Sequence, residues 1–432
     1  MRSIPPITAH MNIPPMIRRH WRVGLAVIAG LLVVILATAP WQGGSSLKPA
    51  ADGASTAQPA GTPAAAGAPT QGAAPQKAAP AGPIKVNRSI TLKVSGGLKM
   101  PWPKTGQAAI GVVGVGTIGH GGRHYAVPTA SVAKAMTAYQ ILKDHPLTNR
   151  SNGPVIHITR AEALAFPRQV AMGQSLVPVK SGEAITERQA LQALMLASAD
   201  NVAQILGRWD AGSVPKFLNK VNATAKQLGM THTHYTDPSG YDKRTVSTPE
   251  DQMRLAEAAL QMASFRQIVS QKHAVIPVAG PIVNFNKLLD EPGVFGIKTG
   301  SMNAAGGCLL FAAHQRVGGH TVTIVGTVFG QRGANVGILT KAFQSSHNLL
   351  AAARTAIKPV KIVKKGQVVS AVPGSRSVLV AAKDVTIPAW AGAKVPAKVT
   401  ATIAKSAPNG AKVGTLTIGK VGSTPLTIVN PA

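Results

Sequence analysis

The chain has 432 residues, with 45 Lys and Arg against 15 Asp and Glu, a formal net charge of +30 at pH 7. The length exceeds one ordinary domain and suits two, and the charge biases the protein toward anionic surroundings such as acidic lipid or wall polymer. The basic residues are scattered and aromatics make up only 4%, which argues against a nucleic-acid partner, while a single cysteine, Cys308, excludes an intrachain disulfide and a cysteine metal cage.

Residues 1–42 hold Arg18, Arg19 and Arg22 ahead of an uncharged apolar run from Val23 to Ala39, the layout of an export signal or a positive-inside anchor. Ala37-Thr38-Ala39 has the small-residue form of a cleavage site, but Pro40 follows it and the polar head is long and rich in proline, which favours retention as an anchor. The expected location is extracytoplasmic, tethered to the membrane by this segment or released to the cell wall. Residues 43–84 are almost all Ala, Pro, Gly, Ser, Thr and Gln, with Lys48, Asp52 and Lys77 the only charges. Such a composition cannot pack a core; as a linker it spans roughly 35 Å when coiled or about 130 Å when extended.

From 85 to 356 the pattern predicts an α+β domain. Ala108 to Val115 reads as a strand, Ser131 to Lys143 as a helix, and Thr186 to Leu196 as a helix opened by the capping pair Thr186 and Gln189. Cys308 to Ala313 and Thr321 to Phe329 read as apolar strands joined through Gly318-Gly319. Strands at both ends with helices between them predict an antiparallel sheet flanked by helices. Residues 357–432 change to short Val/Thr/Ile alternations (378–380, 385–387, 398–403 and 412–418) with a turn at Pro408-Asn409-Gly410, a small all-β domain.

Ser131-Val132-Ala133-Lys134 sets a hydroxyl and an amine three positions apart at the start of the predicted helix, on one face, where one can deprotonate the other. The amine must be neutral part of the time, which burial and a second cation promote. A lone Ser-x-x-Lys arises by chance on many helices. Here two further segments accompany it. Ser198-Ala199-Asp200-Asn201 follows an apolar helix, where a serine can relay a proton, and Lys298-Thr299-Gly300 comes just before a strand, where a lysine on the sheet edge can hold a carboxylate and a glycine lets a substrate backbone approach.

These three motifs, in this order, resemble those of the penicillin-recognising serine D-alanyl-D-alanine carboxypeptidases, the peptidase S11 or low-molecular-mass penicillin-binding protein family. The likeness extends to Ala130 through Thr137, Leu194 through Ala203, Asp237-Pro238-Ser239-Gly240, Asn284 through Leu288 and Gly296 through Gly300, and covers about 107–353. The all-β tail is similar to the C-terminal domain of some members. The resemblance implies a β-lactamase/transpeptidase-like fold in which Ser131 attacks the penultimate D-alanine carbonyl of a peptidoglycan stem peptide, Lys134 takes its proton and Ser198 passes one to the leaving D-alanine. It implies that Lys298 and Thr299 hold the terminal carboxylate, that Gly300 lines the same edge, that the backbone N–H groups of Ser131 and Ser301 form an oxyanion hole, and that β-lactams acylate Ser131 as covalent inhibitors. No cofactor or metal is implied. The sequence departs from the family's Ser-x-Asn: Asp200 occupies the third place and Asn201 follows it. A carboxylate only accepts hydrogen bonds, so Asp200 can pair with Lys134 or Lys298 and favour the charged amine; alternatively Asn201 substitutes through a small shift.

Other signals carry less. His232-Thr233-His234 would put two imidazoles on one strand face without a partner ligand, Gly414 to Lys420 lacks the Ser or Thr of a phosphate loop, no Gly-x-Ser-x-Gly elbow occurs, and Cys308 reads as a small buried hydrophobe. Competing expectations are an endopeptidase, a transpeptidase or a β-lactamase on the same fold, and a non-catalytic wall-binding protein in which Asp200 disables the site.

Overall fold

The computed structural model describes residues 82–148, 150–333 and 337–430. The apolar run 23–39 and nearly all of the linker lie outside them, and among the described residues no helix is long and apolar enough to cross a membrane.

The first half of the described chain runs β1 (Ile84–Lys93), β2 (Gln107–Val112), β3 (Gly116–Gly121), β4 (Val127–Pro128), a 3-10 turn (Ala130–Ala133), α1 (Lys134–Asp144), β5 (Val155–His157), α2 (Arg160–Ala171), β6 (Ala184–Thr186), α3 (Glu187–Met195), α4 (Asp200–Ala211) and α5 (Val214–Gln227). There follow β7 (Val246–Ser247), α6 (Pro249–Ala259), α7 (Ala263–Val269), β8 (His273–Ile276), β9 (Gly280–Val283), a 3-10 turn (Lys287–Asp290), β10 (Val294–Met302), β11 (Gly306–Val317), β12 (His320–Gln331) and α8 (Ile338–Ala356). The C-terminal strands are β13 (Lys358–Val363), β14 (Val368–Ala371), β15 (Val378–Ala381), β16 (Val385–Ala389), β17 (Lys394–Ile403), β18 (Lys412–Ile418) and β19 (Gly422–Val429).

The central sheet is antiparallel, in the order β10-β11-β12-β2-β3. Successive side chains of a strand point to opposite faces. Along β11, Cys308, Leu310 and Ala312 join the core formed with α1, α3 and α4, while Leu309, Phe311 and Ala313 join a second core with Leu349 and Leu350 of α8 and with the C-terminal strands. Both faces are covered, so this strand reads as a continuous apolar run instead of an alternation. The hairpin turn between β11 and β12 falls at Gly318-Gly319, as the sequence predicts. The expected strand 108–115 stops at Val112, where the Val115 N–H turns back to the Val112 carbonyl at 3.0 Å.

The second sheet runs β1-β17-β18-β19-β15-β14, with β13 and β16 paired beside it. In β17 the buried residues Val395, Ala397, Val399, Ala401 and Ile403 alternate with exposed ones, the period of a half-buried strand. Its outer edge is covered by β1, paired from Ile84 opposite Ile403 to Lys93 opposite Lys394. The division expected from composition, 85–356 and 357–432, therefore does not follow the sheets. Residues 84–93 precede the central sheet in sequence but complete the C-terminal one. Their alternation is weak, with only Val86 and Leu92 fully buried, which is why no strand was expected there.

Candidate active site

Ser131 lies in the 3-10 turn, and the α-helix begins only at Lys134, so the hydroxyl precedes the helix where the sequence pattern placed it inside. The turn is anchored from below: Ala130 and Val132 are buried, and the Val132 N–H reaches the Thr129 carbonyl at 3.3 Å. Ala130 takes a φ of +46°, a left-handed conformation that a residue with a Cβ occupies only when its surroundings hold it there. Part of that hold is Gly240, whose φ is +80° and whose missing Cβ leaves room for the Ala130 carbonyl oxygen.

Lys134 is wholly buried. Its Nζ donates to Ser131 Oγ at 2.8 Å, to Asp200 Oδ1 at 2.5 Å and to the Ser239 carbonyl at 3.0 Å, so three acceptors match the three protons of an ammonium. The Ser239 contribution is absent from the expected site. It comes from the loop after α5, in which Asp237 accepts from the N–H groups of Ser239, Gly240, Tyr241 and Asp242 and from the hydroxyls of Ser239 and Thr245. An aspartate ahead of Pro-Ser-Gly is the sequence mark of such a turn. The Pro238 carbonyl accepts from Thr137 Oγ1 at 2.6 Å and fastens the loop to α1.

The second segment sits between α3 and α4. A reciprocal capping box of Thr186 and Gln189 starts α3, as predicted, and Phe285 N–H holds the Leu196 carbonyl at its end at 3.2 Å. Ser198, buried to 4% exposure, adopts φ +61°. Asp200 opens α4, and besides Lys134 it accepts the Ser175 N–H on Oδ2 at 2.9 Å while its own N–H donates to the Ser175 carbonyl at 2.7 Å. The chain at Ser175 is a further support that the sequence pattern does not reveal. Asn201 does not stand in for the expected amide. One residue on along the helix it turns toward Val177, accepting from its N–H at 3.3 Å and donating to its carbonyl at 2.8 Å.

The third segment is β10. Lys298 is buried to 1% exposure, and Nζ donates to the Thr299 carbonyl at 3.1 Å and to Thr299 Oγ1 at 3.4 Å. Burial, reinforced by the charge of Lys134 and opposed by Asp200, holds Lys298 well below the usual lysine range. Gly300 lies against the turn: a Cβ there would come within 3.0 Å of both the Ser131 N–H nitrogen and the Thr129 carbonyl oxygen. Ser301, next along the strand, is exposed. Ser131, Lys134 and Asp200 thus share direct contacts, and Lys298 senses the charges of the last two. His232 lies in a turn and His234 only bridges Val246, so the expected strand bearing two imidazoles does not form. Cys308 is fully buried and its thiol is pushed up to about 12 by that burial, in keeping with a hydrophobic role.

Comparison with known proteins gives a consistent result. The family described as D-alanyl-D-alanine carboxypeptidase, Peptidase S11, matches residues 118–330. A D-alanyl-D-alanine carboxypeptidase of Streptomyces sp. strain K15 is 32% identical over 217 residues, 46% of this chain and 71% of that protein. One of Mycobacterium tuberculosis is 34% identical over 190 residues, which make up 42% of this chain but only 61% of the relative. The crystal structure of penicillin-binding protein 5 from Haemophilus influenzae shares the fold at 19% identity with a TM-score of 0.57, covering 77% of this chain and 99% of that one.

Proposed function

Because the chain belongs to the D-alanyl-D-alanine carboxypeptidase family of serine peptidases, we propose that it removes the terminal D-alanine from peptidoglycan stem peptides through an acyl-enzyme on Ser131. The observation that carries this reading is the 2.8 Å contact between the half-buried Ser131 Oγ and the Nζ of the wholly buried Lys134. With its amine in the neutral form, Lys134 takes up the hydroxyl proton as Ser131 Oγ bonds to the penultimate D-alanine carbonyl carbon, with the Ser131 and Ser301 N–H groups receiving the oxyanion. Ser198 passes a proton to the departing amine, the C–N bond breaks, and water later cleaves the ester. Lys298 and Thr299 hold the substrate's terminal carboxylate, which supplies the anion that a buried lysine lacks. β-Lactams, as cyclic amides bearing a carboxylate, take the same path as far as the acyl-enzyme.

Asp200 enters as the acceptor that holds the Lys134 proton between steps. Asn201 positions the Val177 segment and does not touch substrate. The basic flank and apolar run at 18–39 support export and tethering at the outer face of the membrane, with 43–84 as the spacer. Incubation with a pentapeptide ending in D-Ala-D-Ala, followed by mass spectrometry, tests the reading. Loss of one alanine, abolished in Ser131→Ala together with fluorescent-penicillin labelling, is the expected result. A joined product, or cleavage only of cross-linked dimers, assigns a transpeptidase or endopeptidase instead; labelling that survives in Ser131→Ala removes the acyl-enzyme.

A further inference from the structure

Away from the active site, the end of β3, the loop that follows it and the first turn of α6 bring three ligating side chains together. His120, His124 and Glu250 each offer one donor atom, all within 4.8 Å of one another. The Nδ1 atoms of both imidazoles face the same carboxylate oxygen, His124 at 3.0 Å and His120 at 3.8 Å from Glu250 Oε1. The rings meet edge to face with centroids 3.8 Å apart. Gly122, at φ +88°, makes the turn that folds His124 back onto His120.

We propose that His120, His124 and Glu250 form a binding site for a divalent transition metal of the class represented by Zn2+. A carboxylate receiving two converging imidazoles is satisfied less well by them than by one cation between all three. In the neutral state each ring has a single N–H to offer, and if both are protonated their charges repel. A tetrahedral zinc with bonds of about 2.0–2.1 Å separates its ligand atoms by about 3.3 Å, and the present 3.0 and 3.8 Å bracket that spacing. Two imidazoles select against Mg2+ and Ca2+, which prefer oxygen donors. The three residues line a cavity of about 280 Å3 whose wall also includes His232, Thr231 and Arg254. Arg254 does not oppose a cation there, because Asp251 Oδ1 accepts its guanidinium at 2.7 Å.

The place of the site in the fold suggests what the metal does. Two residues separate Glu250 from the end of β7, two separate His124 from the start of β4, and β4 pairs with β7 through Val127 opposite Ser247 and Pro128 opposite Val246. Beyond Pro128 the chain runs through Thr129 into the turn that carries Ser131. A metal at this point clamps the two segments that flank the strand pair and stiffens the approach to the turn. The role is structural, and it holds whether or not the peptidase reading is right.

The full chain, stripped with a chelator and titrated calorimetrically with Zn2+ alone, should bind one ion per chain with high affinity. His124→Ala and Glu250→Gln should each weaken binding by more than about 100-fold, since removing a direct ligand exceeds the 10- to 100-fold effect of losing its outer partner. His234→Ala, outside the cluster, should leave affinity unchanged. Zn2+ should raise the midpoint of thermal unfolding of the wild type and of His234→Ala but not of the two ligand variants, whose metal-free midpoints report that they fold. Absence of stoichiometric binding, or equal affinity in His124→Ala and the wild type, overturns the proposal. So does a thermal shift that persists in both ligand variants.

Discussion

Lys134 Nζ lies 2.5 Å from Asp200 Oδ1, and both groups are buried. The pair fixes the electrostatics of the site: when Ser131 Oγ gives up its proton, the amine that receives it is already beside an anion. A carboxylate there can only accept from Nζ, whereas an amide at the same place could also donate.

Replacing Asp200 by Asn, the residue more common at this place in Ser-x-Asn, should speed acylation at neutral pH. The amide keeps an oxygen for the Ser175 N–H, now held at 2.9 Å, and turns its NH2 toward Lys134 Nζ, where it can donate to a neutral amine. A gain of about tenfold corresponds to about 1.4 kcal/mol on the barrier. Stopped-flow rates of penicillin acylation measure it directly. A slower variant would mean that the carboxylate itself handles a proton in the rate-limiting step.

Lys298 makes a second prediction because its proton is only loosely held before substrate arrives. Burial and the neighbouring Lys134 lower it, so in the free enzyme its charge disappears at a pH below that of an ordinary lysine. A bound carboxylate restores the preference for the ammonium. Binding then takes up a proton, and KM for a substrate with a free C-terminal carboxylate should rise with pH while kcat changes less. A C-terminally amidated analogue should show no such rise. Calorimetry in two buffers of different ionisation enthalpy counts the protons; zero uptake at alkaline pH would remove Lys298 from carboxylate recognition.

The candidate site was legible as a set of short covalent spacings: Ser131 to Lys134 within one turn, Ser198 at a helix end, Lys298 to Gly300 along one strand. The capping box at Thr186 and the Gly318-Gly319 turn are likewise local. What the sequence withheld is carried by backbone or by distant pairing. The Ser239 carbonyl on Lys134 and the Ser175 N–H on Asp200 belong to peptide groups, which every residue has. Asp200 and Asn201 differ by one position, and along a helix one position turns a side chain by more than a quarter of a circle, enough to send one to the amine and the other to Val177. The meeting of Glu250 with His120 and His124 and the pairing of β1 with β17 join residues from opposite ends of long intervals, with no periodicity to announce them.

That pairing yields a third prediction. Because β1 covers the edge of β17 over its whole length, a truncation beginning at residue 95 should expose a run of unpaired backbone donors and acceptors along β17. The loss also uncovers the core around Val86 and Leu92, at about 1.5–3 kcal/mol for each large side chain. The expected outcome is a lower unfolding midpoint and concentration-dependent self-association, measured by light scattering, with penicillin acylation retained below the midpoint. A monomeric truncation of unchanged stability would mean that the edge tolerates solvent.

Glu187 provides the last prediction, one of stability and pH. It stands at the first position of α3, is fully buried, and neither carboxyl oxygen has a hydrogen-bond partner among the described residues. Burial raises its pKa from 4.5 to about 7, with Arg188 pulling weakly the other way. A folded-state value above the unfolded one means that the folded protein binds the proton more tightly. The stabilisation is complete below about pH 4.5 and is lost as pH rises through about 7, a change of about 3 kcal/mol. Glu187→Gln has the same shape and no such titration. At pH 5 the variant should match the wild type or fall slightly below it, because the amide is also left unpaired. By pH 8, where the wild type must bury an unpartnered carboxylate, the variant should have gained about 5 °C in unfolding midpoint relative to it. Parallel midpoint-versus-pH curves for the two proteins would show that the carboxyl reaches water or a partner at neutral pH.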